Sequence, residues 1–383
     1  ALPFAEQRAA IQPDSVARKI VLATSIAETS LTIQDIRVVV DMGLARRSRF
    51  DPGSGMSRLV TERVTRAEAT QRQGRAGRVA AGVGYRLWTK GEDGALAAFP
   101  PPEIQAADLT ALALELALWG AGPGDLPFLT PPPEGALKEA QALLRMLGAL
   151  DGEGRITSHG KALAKLPLHP RLGHMLARFG ADAAPLAALL AERDPLRGAP
   201  VDLALRLEAL RDAKAFQRRR SYQLNIPTLE RIKGEVKRLT RQARSGASSA
   251  SASAAVMAAA AYPDRIGQRR KGDAPRYVLS GGKGAVLPPE DSLAAMPFLV
   301  GLDSDGNPRE ARLRLAAPIT LSELRSEFAD HFKPNIDVRP CKFIWLGTHQ
   351  KFDDAFTFVC ENTKHGGVWI HAYQFDADTA TVI

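Results

Sequence analysis

Cysteine is nearly absent from this chain: 383 residues carry two, Cys341 and Cys360. Two thiols build neither a disulfide framework nor a metal-ligand spacing, so small secreted scaffolds and zinc modules are excluded, and a reducing cytoplasmic setting fits. No apolar run reaches the roughly 18 residues of a membrane span, and no signal peptide opens the sequence. Acidic residues are the minority, 42 Asp and Glu against 51 Lys and Arg, a net charge of +9. An excess of that sign points to an anionic partner, and nucleic acid suits it better than membrane because no basic amphipathic helix with an aromatic face stands out. Also missing are G-x-x-x-x-G-K-[ST] and D-E-x-H. Gly281-Gly282-Lys283-Gly284 is no substitute, lacking both the spacing and the helix that would receive phosphates. His159, His169 and His174 stand at no metal spacing and read as packing or surface residues. No metal site is expected.

What is present is concentrated near the start. Gln71-Arg72-Gln73-Gly74-Arg75-Ala76-Gly77-Arg78 sets three arginines among two glycines. Guanidinium groups grip phosphate oxygens in a bidentate fork, and glycine lets a ligand or a facing domain come close. If the segment is helical, Gln71, Arg75 and Arg78 share a face and converge on one phosphate. Taken alone, such a spacing is more often a solvated basic turn. Upstream, Lys19 to Ala23 and Val38 to Asp41 are short apolar, β-branched runs of the kind found in buried parallel strands. Between them lies Ala23-Thr24-Ser25-Ile26-Ala27-Glu28-Thr29-Ser30-Leu31-Thr32-Ile33, whose hydroxyls would sit in the crevice where open α/β sheets bind ligands.

The two segments resemble motif VI (QRxGRxGR) and motif V of superfamily 2 helicases of the DEAH-box group. Two long motifs in the right order are a strong signal, and later phrases make the chain most similar to the bacterial HrpB type. The resemblance implies an ATP-dependent RNA helicase. Arg75 and Arg78 would then be arginine fingers on the nucleotide and Gln71 would help place the attacking water, while Asp35 would lie near the ribose. Thr24, Ser25, Glu28 and Thr29 would touch the nucleic-acid backbone. For Glu28 and Asp35, capping a helix is the alternative role.

The rest of the chain is read in order. Leu44 to Thr65 is a hairpin turning at Asp51-Pro52-Gly53-Ser54-Gly55. By resemblance it wedges against nucleic acid, so Arg46, Arg47, Arg49 and Arg58 would face phosphates; keeping an exposed edge soluble is the even alternative. Gly84 to Trp88 reads as the last strand of the sheet. Helices are expected over Ile104 to Trp119 and Glu134 to Leu147, then a tight turn at Asp151 to Thr157 and a helix capped by Ser158. Helix, hairpin, helix is the order of a winged helix. Basic residues recur on the next helical stretch, among them Arg206, Arg211, Arg218, Arg231, Lys237 and Arg238, as a solvated face or as phosphate contacts of a ratchet domain. Composition does not decide whether Ser245 to Ala261 is a tether or a helix.

The expected fold class is therefore α/β, an incomplete second RecA-like helicase domain, followed by a mostly α winged-helix and ratchet region and a small β-rich C-terminal domain. The expected limits are residues 1–102 for the RecA-like domain, 103–172 for the winged helix and 173–244 for the ratchet. A Ser/Ala-rich stretch over 245–261 leads to the β-rich domain at 262–333. Residues 334–383 change character, with four Lys and Arg against six Asp and Glu over 335–383. They resemble an internal segment of flavin-dependent salicylyl-CoA or aminobenzoyl-CoA monooxygenases, without the dinucleotide fingerprint. No FAD is expected, and a joining of two unrelated frames near Lys333 is.

The resemblance assigns the P-loop and the DExH carboxylates to a first RecA-like domain that this chain lacks. ATP and Mg²⁺ belong to the intact parent protein, whose natural start is expected upstream of Ala1, and this chain alone is expected to hydrolyse no ATP. Its partners would be RNA, possibly DNA, and that first domain; no membrane is involved. A non-catalytic nucleic-acid-binding module and a non-functional chimeric fragment stand as alternatives.

Overall fold

The computed structural model describes residues 4–12, 18–29, 33, 35–51, 56–243, 252–307, 310–328, 346–348, 357–363, 366–374 and 380–382. The chain forms two compact units, Ala1–Glu327 and Phe328–Ile383. Among the described residues no helix is long and apolar enough to cross a membrane.

The first unit opens with helices α1 (Phe4–Ile11) and α2 (Ile26–Thr29), strand β1 (Val38–Asp41), strands β2 (Leu44–Asp51) and β3 (Met56–Arg63), helix α3 (Arg66–Gly74), strand β4 (Val83–Arg86) and helix α4 (Lys90–Ala95). β1 and β4 run parallel, with Val38 opposite Val83 and Val40 opposite Tyr85. Helix α3 covers one face so closely that a Cβ on Gly84 would stand 2.5 Å from Gln73 Cγ. The other face is open: Val38, Val40, Val83 and Tyr85 are 54, 58, 49 and 55% exposed. The strand expected over Lys19 to Ala23 does not form, and Ile20 and Leu22 are 85 and 95% exposed. A strand needs a neighbour for its backbone groups, and among the described residues β1 and β4 pair only with each other.

β2 and β3 make the expected hairpin, in register from Leu44 opposite Arg63 to Asp51 opposite Met56. Its turn, 52–55, lies outside the described residues. Near the tip, the Phe50 amide donates to the Ala106 carbonyl at 2.8 Å.

Helix α5 (Thr110–Trp119) begins later than its sequence suggests. The Asp108 carboxylate takes the Thr110 amide at 2.8 Å and so fixes the first turn there, behind a short 3-10 turn at Glu103–Gln105. Helix α6 (Glu134–Met146) buries Leu137, Ala140 and Leu144 against it. After a turn bridged by Leu150 and Ile156, Thr157 rather than Ser158 caps helix α7 (Ser158–Leu163), its hydroxyl accepting the Gly160 amide at 3.0 Å.

Helix α8 (Pro170–Phe179) turns Leu172, Met175, Leu176 and Phe179 inward. Each such burial contributes about 2 kcal/mol. Helix α9 (Ala184–Ala191), strand β5 (Leu196–Arg197), helices α10 (Leu203–Arg211) and α11 (Ala213–Arg219), strand β6 (Gln223–Leu224) and helix α12 (Ile226–Ala243) follow. Of the ambiguous Ser/Ala stretch, Ala254–Ala261 is helix α13, capped by Ser253 and buried from Ala255 to Ala261. Alanine on every face suits a helix enclosed on all sides.

Strands β7 (Ile266–Arg269), β8 (Arg276–Leu279), β9 (Gly284–Val286), β10 (Phe298–Ser304) and β11 (Glu310–Pro318) close a barrel in the order β10-β11-β9-β8-β7. Only β9 and β11 pair in parallel. Five strands closed in this order make an OB-type barrel. Tyr277 fills its centre with no exposure, and its hydroxyl donates towards the Leu293 and Met296 carbonyls at 3.0 and 2.9 Å. Helix α14 (Leu321–Glu327) ends the unit. In the second unit, strands β12 (Leu346–Thr348), β13 (Thr357–Thr363), β14 (Gly366–Gln374) and β15 (Ala380–Val382) form an antiparallel sheet ordered β12-β15-β14-β13.

Candidate nucleotide and nucleic-acid interface

Helix α3 starts on a capping box, with the Thr65 hydroxyl accepting the Glu68 amide and the Glu68 carboxylate accepting the Thr65 amide at 2.7 Å. It ends at Gly74, so only Gln71 of the three candidate catalytic residues is helical; Arg75 caps the helix and Arg78 follows it. Arg75 and Arg78 still stand close. Burial and the Arg78 charge both push the Arg75 guanidinium below its ordinary pKa, against the pull of Glu28. Gln71 and Arg78 are exposed. A Cβ on Gly74 or Gly77 would meet nothing within 4 Å, so this edge of the unit is open to an approaching surface.

Arg72, which the sequence did not single out, is the residue that ties the site together. Its Nε donates to Glu28 at 3.0 Å, and its Nη1 to Asp41 and to the Leu44 carbonyl, both at 3.0 Å. One side chain thus joins α3 to α2, to the end of β1 and to the root of the hairpin. The three partners are enclosed, at 16% exposure for Arg72, 10% for Glu28 and 7% for Asp41. Burial alone would lower the Arg72 pKa; the Glu28 hydrogen bond and the Asp41 charge outweigh it and raise it. Asp41 also takes the Gly43 amide at 2.9 Å. Arg75 donates to the Glu28 carbonyl.

The candidate strand-contacting residues divide. Thr24 and Ser25 are exposed, and their carbonyls take the amides of Ala27 and Glu28 in the first turn of α2. Glu28 turns its carboxylate inward to Arg72. The Thr29 side chain lies outside the described residues. Asp35 is exposed with a φ of 63°, the left-handed region that Asp tolerates better than most side chains. On the hairpin, Arg46 is exposed, while Arg47 is held by Glu62 at 3.0 Å and by Glu68. Arg49 pairs with Glu62 at 2.9 Å, and the Arg58 side chain is outside the described residues. Arg206 is not on a solvated face at all: 2% exposed, it is held by Asp194 at 2.7 Å. Arg231, Lys237 and Arg241 of α12 are exposed.

Three further pairs hold the helices and the barrel together. The Asp108 carboxylate meets His169 Nε2 at 3.1 Å. Although burial opposes it, the His169 contact and the Thr110 donors bring the Asp108 pKa down to about 2. Arg171 forks onto Asp264 at 2.5 and 2.9 Å and donates to the Ala261 carbonyl at 3.2 Å. The Tyr262 ring carries the guanidinium of Arg171 at 5.2 Å and that of Arg265 at 4.7 Å. His159 Nε2 lies 2.8 Å from His174 Nδ1, and burial together with the His159 and Arg178 charges lowers the His174 pKa to about 4. Among the described residues no group of three or more His, Cys, Asp or Glu could hold a metal ion.

With this geometry in place, comparison with known proteins gives a consistent result. Residues 4–80 match the helicase conserved C-terminal domain, and residues 140–168 the winged-helix helicase associated domain HA2. The chain is 41% identical over 334 residues to the ATP-dependent RNA helicase HrpB of Escherichia coli K12, 85% of this chain but 39% of that protein. It is 42% identical over 160 residues to the probable ATP-dependent RNA helicase DHX34 of Mus musculus, 42% of this chain and 14% of that one. The crystal structure of the E. coli DExH-box NTPase HrpB superposes with a TM-score of 0.72 at 35% identity, covering all of this chain and 43% of the other. The chain therefore spans about two fifths of the relative it matches over most of its length.

Proposed function

We infer from the place of this chain among the DEAH-box ATP-dependent RNA helicases, where it is of the HrpB type, that it is the part of such an enzyme that senses the nucleotide and holds the strand. The Arg72 node carries the reading. It fixes the segment bearing Gln71, Arg75 and Arg78 to the segment bearing Thr24 and Ser25 and to the hairpin root, so a displacement of one is passed to the others. Nucleotide and nucleic-acid contacts in a coupled motor require that connection.

ATP with Mg²⁺ fits the open edge in part. Two guanidiniums suit a γ-phosphoryl group and an exposed glutamine suits the attacking water, whereas the metal and the P-loop contacts are assigned to a first RecA-like domain of the parent protein. When bound there, ATP supplies a phosphoryl transfer to water. Arg75 and Arg78 stabilise charge on the transferring group, a role worth about 10³ to 10⁵ in rate. Gly74 and Gly77 leave room for that domain. The bare sheet face of Val38, Val40, Val83 and Tyr85 supports a parent α/β domain larger than the part seen here, since parallel sheets are covered on both faces.

RNA would lie along Thr24, Ser25, Arg46, the exposed arginines and lysine of α12 and the barrel, through phosphates rather than base sequence. The test is fluorescence anisotropy of the chain with single-stranded RNA across a salt series. Affinity should fall steeply, by a factor of about 300 between 50 and 200 mM if some six phosphates of a single strand are contacted. Binding that ignores salt, or no binding, would refute the reading.

A further inference from the structure

Two neighbouring arginines of β2 have opposite surroundings. Successive side chains of a strand point to opposite faces, so Arg46 and Ser48 face solvent while Ala45 and Arg47 turn inward. Ala45 is buried in one cluster with Ala69 of α3. Arg47, 16% exposed, donates through Nη1 to Glu62 at 3.0 Å. Its Nη2 donates to both carboxylate oxygens of Glu68, 2.6 Å from Oε1. The sequence offers both arginines to phosphates, yet only Arg46 of the two faces solvent.

Glu68 lies one turn before Arg72 on α3, and Arg47 lies three residues after Leu44 on β2. Helix and strand are therefore tied at two points, Arg72 to the Leu44 carbonyl at 3.0 Å and Glu68 to Arg47. The ties are about 6 Å apart along the helix and about 10 Å apart along the strand. A helix held only at the hairpin root could swing about that contact, and a second tie removes the swing. Glu68 also accepts the Thr65 amide at 2.7 Å and the Thr65 hydroxyl at 2.8 Å. Loss of Arg47 would thus leave the start of α3 capped.

We propose that Arg47 is a positioning residue rather than a phosphate contact: it makes β2 and α3 one body, so that a strand held on the outer face of β2 is felt at the arginine segment that α3 carries. The inference rests on the strand-holding reading above. Arg46 and Arg47 would then divide the work between them, one gripping the strand and the other passing on that it is gripped.

The experiment is hydrogen exchange read by peptide on the chain, free and saturated with single-stranded RNA, beside anisotropy for affinity. RNA should slow exchange over residues 66–74 about tenfold in the natural chain, inside the span of about 5- to 150-fold for ordinary coupling between sites. In Arg47→Gln the affinity and its salt slope should stay within twofold of the natural values, while the RNA-induced slowing at 66–74 falls below about twofold. Arg47→Lys keeps a cation near Glu68 without the planar guanidinium and should retain an intermediate slowing. Arg46→Gln should do the reverse of Arg47→Gln: the salt slope drops by about 0.7, the share of one phosphate on a single strand, and the slowing persists at saturation. Exchange over the barrel, unchanged in the free variants, checks that they fold. RNA binding without any slowing at 66–74 in the natural chain would overturn the inference and leave the strand-holding function standing. Slowing that survives Arg47→Gln, equal loss of it in Arg47→Lys, or a lower salt slope in Arg47→Gln overturns it as well. Failure of the natural chain to bind RNA overturns both readings.

Discussion

Replacing Arg72 with Gln tests the node on which the functional reading depends. The change strips the cation from Glu28 and Asp41, which are 10 and 7% exposed, and removes the donor to the Leu44 carbonyl. Asp41 Oδ2 already lacks a partner, so Asp41 would keep only its bond from the Gly43 amide. Removing one member of a buried pair costs about 3 to 5 kcal/mol, and the partial exposure of Arg72 puts this case at the lower end, about 3 kcal/mol. The cost falls on the α/β segment and not on the barrel. Hydrogen exchange read by peptide is therefore the suitable assay: protection of residues 38–51 and 66–74 should drop by about a hundredfold, with β7 to β11 unchanged. Asp41→Asn in the same background should add less than its separate cost, by about 1 kcal/mol or more, because the two side chains share one interaction. A drop of less than about threefold, or simple additivity, would show that Arg72 joins nothing.

Other outcomes follow from the same structure. His174 is held neutral when folded, with a pKa of about 4 against an ordinary 6.5, so its contribution is complete above 6.5 and is lost as pH falls towards 4. That loss approaches about 3 kcal/mol. Thermal midpoints taken from pH 7 to pH 4.5 should fall more steeply in the natural chain than in His174→Gln; parallel curves would contradict this. Arg171→Met leaves Asp264 enclosed without its fork and should cost about 3 to 5 kcal/mol in urea unfolding, with part recovered by adding Asp264→Asn. Val40→Thr with Tyr85→Thr on the open sheet face should reduce self-association in sedimentation without lowering the unfolding midpoint.

What the sequence could and could not disclose divides by distance along the chain. The hairpin and the open glycines of the arginine segment depend on neighbours, and both were readable; the Thr65 and Glu68 capping box of α3 is equally local but was not read. Arg72 was not, since its partners Glu28 and Asp41 lie 44 and 31 residues away. Nothing in R-x-x-R says which arginine turns inward. Arg206 was misjudged for the same reason: a basic residue in a basic stretch gives no sign of the carboxylate that waits for it, Asp194, 12 residues upstream. The strand expected at Lys19 to Ala23 has the right composition and, among the described residues, no neighbour to pair with. Alternation and glycine turns pointed to a β domain after Ala261, yet closure depends on β9 meeting β11, a pairing between residues 26 apart at Gly284 and Glu310.

The hairpin is anchored very differently at its two ends. Its root is riveted by Arg72 and Asp41, whereas Phe50 near its tip is latched to the linker by a backbone hydrogen bond to Ala106. One such bond is worth only about 1 kcal/mol, a barrier that thermal motion crosses freely. Eight residues of strand reach about 27 Å, so a tilt of roughly 10° at the root would sweep the tip through about 5 Å. A hairpin fixed at its root and lightly tied near its tip would turn a small rotation at the arginine edge into a stroke close to the spacing of nucleotides. Such gearing would reside in the length of β2 and β3, and shortening the hairpin by a residue pair would shorten the stroke in proportion.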